Sequence, residues 1–278
     1  MVISETEDLD KKINSYLPSP PFTNKNLRKE SEIALILPAY NEEKNIGFVL
    51  SNIPSKISQN LDIIVVNDGS SDRTAKIAEN YDTLLINHRE NKGNGAATIT
   101  GLNYCKEKDY DLAIILDADG QHDPNFIPLF IKAISEENID FVIGNRFEYY
   151  YDMKPIKKIC SKLLTVFYFF VFRKIISDPS NGYRALSKTI LQNISFKSSY
   201  SITQEMLFKI LPKYKFKEIP IKLRSRREGK SFIKIKKYLW IMIIFFLKFF
   251  VLARLNSITL KLFKKSLNDI LGIHYLEL

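Results

Sequence analysis

Ile33-Ala34-Leu35-Ile36-Leu37-Pro38-Ala39-Tyr40-Asn41-Glu42 is the stretch on which the fold turns. Its continuous apolar run, Ile33 to Leu37, reads as a strand buried on both faces, as in the interior of a parallel sheet. The run gives way to polar Tyr40, Asn41 and Glu42, and a helical stretch is expected from about Glu42 to Ile53. The pattern then repeats along the chain. Ile63 to Val66 precedes a helix from Asp72 to Asn80, and Thr83 to Ile86 precedes one from Gly95 to Glu107. Leu112 to Leu116 precedes a helix from Asn125 to Ser135, and Phe141 to Ile143 is a fifth strand. Such alternation implies an α/β fold with a mainly parallel, Rossmann-like sheet flanked by helices and right-handed crossovers. Ligands of these sheets sit beyond the carboxyl ends of the strands. The polar clusters Pro38 to Glu42, Asn67 to Asp72, Asn87 to Gly95 and Asp117 to His122 occupy those ends.

A chain of 278 residues, 45% hydrophobic and 26% charged, has material for one large domain and an appendage or for two small domains, and is not a disordered polymer. Residues 1 to about 30 are charged and carry Pro18, Pro20 and Pro21, the texture of a tail. The opening Met1-Val2-Ile3-Ser4-Glu5 has no apolar core of signal-peptide type, so a cleaved export signal is not expected. Cys105 and Cys160 have neither metal nor disulfide spacing and read as buried thiols. The net charge of +10, much of it after Met153, suits nucleic acid, anionic lipid or a phosphorylated substrate without choosing among them.

Asp117-Ala118-Asp119 follows directly on the strand Leu112 to Leu116. Residues two apart in extended backbone point the same way, so both carboxylates can face one ion. Hard oxygens of this kind suit Mg²⁺ or Mn²⁺, ions commonly shared with substrate phosphates. Gln121 and His122 lie within reach of the same place. Alone, Asp-Ala-Asp-Gly is equally good turn chemistry. Asp72 is placed to cap the helix that follows it, whereas Asp68 has no such duty and is a candidate for a base or ribose hydrogen bond. Asn91-Lys92-Gly93-Asn94-Gly95 opens the third helix with flexible backbone and one cation, a candidate phosphate cradle.

In order, Pro38-Ala39-Tyr40-Asn41-Glu42, Val66-Asn67-Asp68-Gly69-Ser70-Ser71-Asp72, Asn91 to Gly95 and Asp117-Ala118-Asp119-Gly120-Gln121-His122 resemble the family 2 glycosyltransferases of the GT-A fold. Within that family the chain is most similar to dolichol-phosphate mannosyltransferases and polyprenyl-phosphate glycosyltransferases, over about Ile33 to Trp240. The resemblance implies that Pro38, Tyr40, Glu42, Asp68, Lys92 and Asp117 bind the donor nucleotide. It implies that Asp117, Asp119 and Gln121 hold Mg²⁺ or Mn²⁺, with Asp119, Arg146 and Arg226 as catalytic residues. Gly144-Asn145-Arg146 looks like the Gly-x-Arg segment whose arginine meets the acceptor phosphate, and Lys157 and Ser161 resemble a following Arg-x-x-x-Ser pair with lysine in place of arginine. Asp178-Pro179-Ser180-Asn181-Gly182-Tyr183-Arg184 resembles an Asp-x-x-Ser-Gly-Phe-Arg element, from which Asn181 departs. Gln204 and Glu205 match a helix of the family. Arg226, Gly229 and Ser231 match its closing loop over the donor phosphates, where Phe232 stands for the usual lysine and leaves Lys230 or Lys234 to supply charge.

The reaction so implied moves a hexose, mannose or glucose, from GDP-mannose or UDP-glucose to a polyprenyl or dolichyl phosphate. A phosphate monoester has a second pKa of about 6 and is largely dianionic at neutral pH, so it needs no general base. The site must instead supply positive charge, for which Arg146, Lys157, Arg184, Arg226 and Arg227 are candidates. A single in-line displacement with inversion is expected. Leu163 to Phe172 and Tyr238 to Leu255 are aromatic, apolar and flanked by lysines, as in helices lying in a membrane interface and drawn to an anionic surface. The first is too short to span a bilayer, while the second, slightly short and carrying Lys248 and Arg254, is open to spanning or to lying flat. The expected layout is therefore a tail (1–30), a GT-A domain (31–232) with an interfacial helix at about 155–176, and a membrane-associated helical segment (233–278), the site facing the cytoplasm.

Four rivals fare unequally. A processive polysaccharide synthase would carry a Gln-x-x-Arg-Trp element, and the only tryptophan, Trp240, follows Lys237-Tyr238-Leu239. A transferase acting on a sugar hydroxyl needs a general base, for which Asp178 or Glu205 are candidates. A catalytically silent scaffold would lack a metal carboxylate, and Asp117 and Asp119 are both present. No recognition helix or stacking motif supports nucleic-acid binding.

Overall fold

The computed structural model describes residues 33–58, 61–149, 155–198 and 202–224, all within the first of two units, Met1–Glu228 and Gly229–Leu278. The expected tail, the Arg226–Ser231 loop, Lys230, Phe232, Lys234 and the Tyr238 to Leu255 helix lie outside the described residues, as do the side chains of Lys157 and Cys160.

The strands are β1 (Ile33–Ala39), β2 (Asp62–Asn67), β3 (Leu84–Asn87), β4 (Leu112–Ile115), β5 (Phe141–Asn145), β6 (Arg184–Ser187) and β7 (Phe216–Pro220). The helices are α1 (Ile46–Ser51), α2 (Ser55–Ser58), α3 (Thr74–Ala78), α4 (Asn94–Glu107), α5 (Ile127–Ser135), α6 (Pro155–Phe172), α7 (Lys188–Asn193) and α8 (Ile202–Ile210). A 3₁₀ turn at Pro124–Phe126 leads into α5, with Asp123 accepting from the Asn125 amide. One sheet of seven strands runs in the order β3-β2-β1-β4-β6-β5-β7. Every residue of β1 is buried, as the apolar run requires of an inner strand.

Five strands match the sequence reading to within two residues, but helices α1 and α3 are shorter than expected. Asn45, Asn52 and Asn80 bound those segments, and asparagine favours caps and turns over helix interiors. Beyond the five expected strands the sheet has two more, β6 and β7. All pairings are parallel except those of β6, which runs antiparallel between β4 and β5, with Arg184 opposite Ile115 and Ile143. This reversal has a consequence for the site. The amino end of β6, and with it Asp178 to Tyr183, comes to the same edge as the carboxyl ends of β4 and β5.

Helix α6 is apolar on two sides. Leu164, Phe167 and Tyr168 are buried, and Tyr168 and Phe172 pack on Phe208 of α8 at ring centroid distances of 5.6 and 5.4 Å. The Tyr168 hydroxyl donates to Gln204. On the outer side Ile159, Leu163, Val166 and Phe169 are 54, 49, 52 and 40% exposed, with exposed Lys158 and Lys162 beside them. Among the described residues no helix is long and apolar enough to cross a membrane.

Candidate active site

The loops after β1 and β2 are stitched to each other. Asn41 adopts a left-handed conformation (φ 52°), its amide donating to Ser70 Oγ at 3.0 Å and its Oδ1 accepting from the Ser71 amide at 2.9 Å. The amides of Glu42 and Glu43 donate to Thr74 Oγ1 (2.8 Å) and Asp72 (3.1 Å). The expected N-cap at Asp72 is corrected by one residue: Arg73 is the N-cap of α3, and Asp72, just ahead of it, accepts from the amide of Thr74, the first helical residue. Burial works to raise its pKa, but these hydrogen bonds outweigh it and hold the carboxyl below its ordinary value. Tyr40 and Glu42 stand half-buried at this rim, whereas Pro38 is buried inside β1.

Asp68 has a structural duty that the sequence did not reveal. It is buried and accepts from His88 Nδ1 (2.6 Å) and from the amides of Lys92 (3.0 Å) and Gly93 (2.7 Å). His88 Nε2 reaches Thr100 Oγ1 of α4 at 2.9 Å. Gly69, at φ 67°, lets the turn lie against this loop: a Cβ there would stand 2.4 Å from the carbonyl carbon of Glu90. The open cradle expected at Asn91 to Gly95 is thus corrected, because the amides of Lys92 and Gly93 answer an aspartate of the chain itself. The exposed Lys92 and the α4 start, where Gly93 provides no side-chain cap, remain for a ligand.

The acidic turn follows β4. Asp117 and Asp119 are half-buried, Asp119 Oδ1 accepts from the Gln121 amide at 3.0 Å, and Asn94 Nδ2 comes to 3.5 Å from Asp117 Oδ1. Burial pushes the Asp117 carboxyl above its ordinary value and the charge of Asp119 adds to this, while His122, Asn94 and Arg146 oppose it. Two crowded carboxylates of hard oxygen donors fit a divalent cation, which would relieve both effects. Among the described residues no cluster of three His, Cys, Asp or Glu side chains forms a closed metal site, so further ligands would have to come from elsewhere, such as a diphosphate. The segment after β7 crosses this turn. Leu223 bridges to His122, the Arg224 amide donates to the Gln121 carbonyl at 2.8 Å, and Arg224 Nη2 pairs with Asp123 at 3.0 Å.

The other half of the candidate site is built on β5 and on the loop before β6. Arg146 donates from Nε and Nη2 to the two oxygens of Asp178, at 2.6 and 2.7 Å, and from Nη2 to Ser180 Oγ at 2.8 Å. Asp178 is fully buried, and its loop is fixed from below by Glu218 of β7, which accepts from the amides of Ser177 and Asp178. Arg184 is corrected as a substrate cation. It is fully buried, and its guanidinium donates to the carbonyls of Asn181, Thr203 and Pro179 at 2.9, 2.6 and 3.0 Å. Burial lowers it to about 10, so it stays charged at neutral pH as an internal brace of the loop. Ser161 is buried with its hydroxyl unpartnered among the described residues. Glu205 accepts from the amides of Lys197 and Ser198 and pairs with Lys209 at 2.8 Å.

The model of the family described as Glycosyl transferase family 2 matches residues 34–195, which hold the loops after β1, β2, β3, β4 and β5 and the Asp178–Arg184 segment. A UDP-N-acetylglucosamine–dolichyl-phosphate N-acetylglucosaminyltransferase of Methanococcus voltae is 34% identical over 214 residues, covering 68% of this chain and 84% of the relative. A dolichol-phosphate mannosyltransferase of Pyrococcus furiosus is 31% identical over 215 residues, covering 73% and 59%. Among solved structures, a glucosyl-3-phosphoglycerate synthase of Mycobacterium tuberculosis with Mn²⁺ and UDP-glucose superposes with a TM-score of 0.60 at 21% identity, over 86% of each chain, a likeness of fold. The paired strand-end loops, the acidic turn and the reversed β6 are thus those of a GT-A glycosyltransferase, and the chain belongs to glycosyl transferase family 2.

Proposed function

We propose that this glycosyltransferase moves a hexose or N-acetylhexosamine from a nucleoside diphosphate sugar to a polyprenyl or dolichyl phosphate at an anionic membrane surface, its site on the cytoplasmic side. The observation that carries the reading is the commitment of both carboxylates once available as a general base. Asp178 is buried against Arg146, and Glu205 is bound to two backbone amides and Lys209. An acceptor hydroxyl would have to give up a proton, while a phosphate monoester arrives largely deprotonated. The names of the two relatives support a lipid phosphate, and the exposed apolar stripe of α6 beside Lys158 and Lys162 supports a lipid surface.

Asp117 and Asp119, with Gln121, would hold Mg²⁺ or Mn²⁺, which when bound supplies positive charge to the leaving diphosphate. The chain's own residues do the rest. Tyr40 and Glu42 orient the nucleoside at the β1 rim, with Lys92 offering a cation to the phosphates. Arg146, held rigid by Asp178 and Ser180, faces the acceptor phosphate. Attack on the side of the anomeric carbon opposite the diphosphate inverts its configuration.

The test is transfer of labelled sugar from GDP-mannose, UDP-glucose and UDP-N-acetylglucosamine to a short polyprenyl phosphate, with and without Mn²⁺, for wild type and Asp119→Ala. Metal-dependent label in the lipid fraction, lost in the variant, supports the reading and names the donor. Donor hydrolysis with no lipid label contradicts the acceptor.

A further inference from the structure

The sequence departs from its family pattern at Asn181, and the structure puts that residue at a junction. It is fully buried, between the acidic turn and the Gly144-Asn145-Arg146 strand end. Its Nδ2 lies 2.6 Å from the Gly144 carbonyl, and its Oδ1 lies 3.1 Å from the Tyr183 amide and 3.0 Å from His122 Nε2. The carbonyl of Gly144 only accepts and the amide of Tyr183 only donates, so the orientation of the Asn181 side chain is fixed by two partners independently of the histidine. His122 Nε2 faces an oxygen and must therefore carry the proton. In the neutral ring Nδ1 is then an acceptor, and it receives the Asp117 amide at 3.3 Å. The opposite tautomer would aim an N–H at Asp117 Oδ2, 3.6 Å away, and compete with a cation for that carboxylate.

Resting on the proposed function, we infer that Asn181 is a positioning residue that couples the two halves of the site. Through His122 it sets the first metal-binding carboxylate and leaves it open to a cation. Through Gly144 it sets the strand end that carries Arg146 two residues on. The neighbouring backbone shares the task, since a Cβ on Gly182 would stand 3.0 Å from Asp117 Oδ2. Partners of this outer kind commonly change metal affinity by 10–100-fold when removed.

Three measurements on the full-length protein test this. The ring ¹⁵N spectrum of its three histidines, assigned with His122→Phe, reports the tautomer. Electron paramagnetic resonance of free Mn²⁺, titrated with protein and UDP, reports metal affinity without turnover. The KM for polyprenyl phosphate reports the acceptor half. Wild-type His122 is expected with Nε2 protonated. Asn181→Leu is expected to lose that signature, to bind Mn²⁺ with UDP about 10–100-fold more weakly, and to raise the acceptor KM. His122→Phe, which keeps a ring against Tyr183, is expected to shift the metal constant alone. If Asn181→Leu does not fold, Asn181→Ser, too short to span both partners, carries the same test. A wild-type His122 protonated on Nδ1, or a folded Asn181 variant with unchanged Mn²⁺ affinity, overturns the inference. Absence of Mn²⁺ binding in the wild type with UDP would instead count against the metal reading of the site, while the tautomer result would still judge the Asn181–His122 contact.

Discussion

Replacing Asp178 by asparagine separates a positioning carboxylate from a chemical one. Asp178 is fully buried and receives Arg146 Nε, Nη2 and the Arg146 amide at 2.6, 2.7 and 3.1 Å. Asparagine has the same shape, but one oxygen becomes an NH₂ that faces a donor. The change forfeits one charge-assisted hydrogen bond, about 1.5–3 kcal/mol, and leaves a buried donor unmatched, about 1–3 kcal/mol. Arg146 retains some exposure, 15% of its side chain, and can relax partly toward solvent. The lower part of the combined range applies, about 3 kcal/mol, which for a domain of this size lowers Tm by roughly 6–12 °C. Kinetically, Arg146 loses its clamp, so the acceptor KM rises while metal-dependent donor hydrolysis persists. Urea or thermal denaturation and steady-state kinetics across pH measure both. An unchanged Tm with kcat down by about 10²–10⁴, and the acid limb of the pH profile abolished, would mean that Asp178 is a general base.

Tyr183→Phe removes a buried hydroxyl that has no partner among the described residues, yet keeps the ring stacked 4.3 Å from Phe130; it should stabilise by about 1 kcal/mol in urea unfolding. A loss of stability would mean that the hydroxyl is bound after all. Asp117→Asn should raise the Tm of the metal-free protein at pH 7. A carboxyl raised above 3.8 by burial favours folding when protonated, so its contribution is present below 3.8 and lost as pH rises through the folded value; the gain should vanish in scans below pH 3.8. Val166→Glu and Leu163→Glu on the exposed side of α6 should each weaken sedimentation with anionic vesicles by about tenfold, the loss of roughly 1.5 kcal/mol of apolar burial, with Tm unchanged. Mn²⁺ should bind weakly to the protein alone and at least about tenfold more tightly with UDP, by calorimetry, because among the described residues no cluster of three His, Cys, Asp or Glu side chains can close a metal site.

The front of the site was legible in part because strand ends announce themselves: apolar runs break into polar clusters where β1, β2 and β4 finish. Asp117 and Asp119, though, suited a turn as well as a shared ion, and Asp119 sits on a turn in the fold. The back half was less so. Arg184 looked like substrate charge because a sequence does not tell which cation points inward, and only the reversed β6 turns it onto the carbonyls of its own loop. Asp68 and the Lys92–Gly93 amides were each identified as ligands for a nucleotide, and their answering one another depends on the close approach at Gly69. Glu218 and Arg224 had no signal at all, and His88 had only its place in the polar cluster after β3. Each acts across 20 or more residues on loops that only the folded sheet brings together.

The most direct measurement offers one acceptor in two forms, polyprenyl phosphate and the corresponding polyprenol, with labelled donor and Mn²⁺, from about pH 5 to pH 9. Transfer to the phosphate alone, rising with ionisation of its second proton near pH 6 and level above it, is the expected result. Transfer to the alcohol at a comparable rate would show that the enzyme supplies a base, and would contradict an acceptor that brings its own nucleophile.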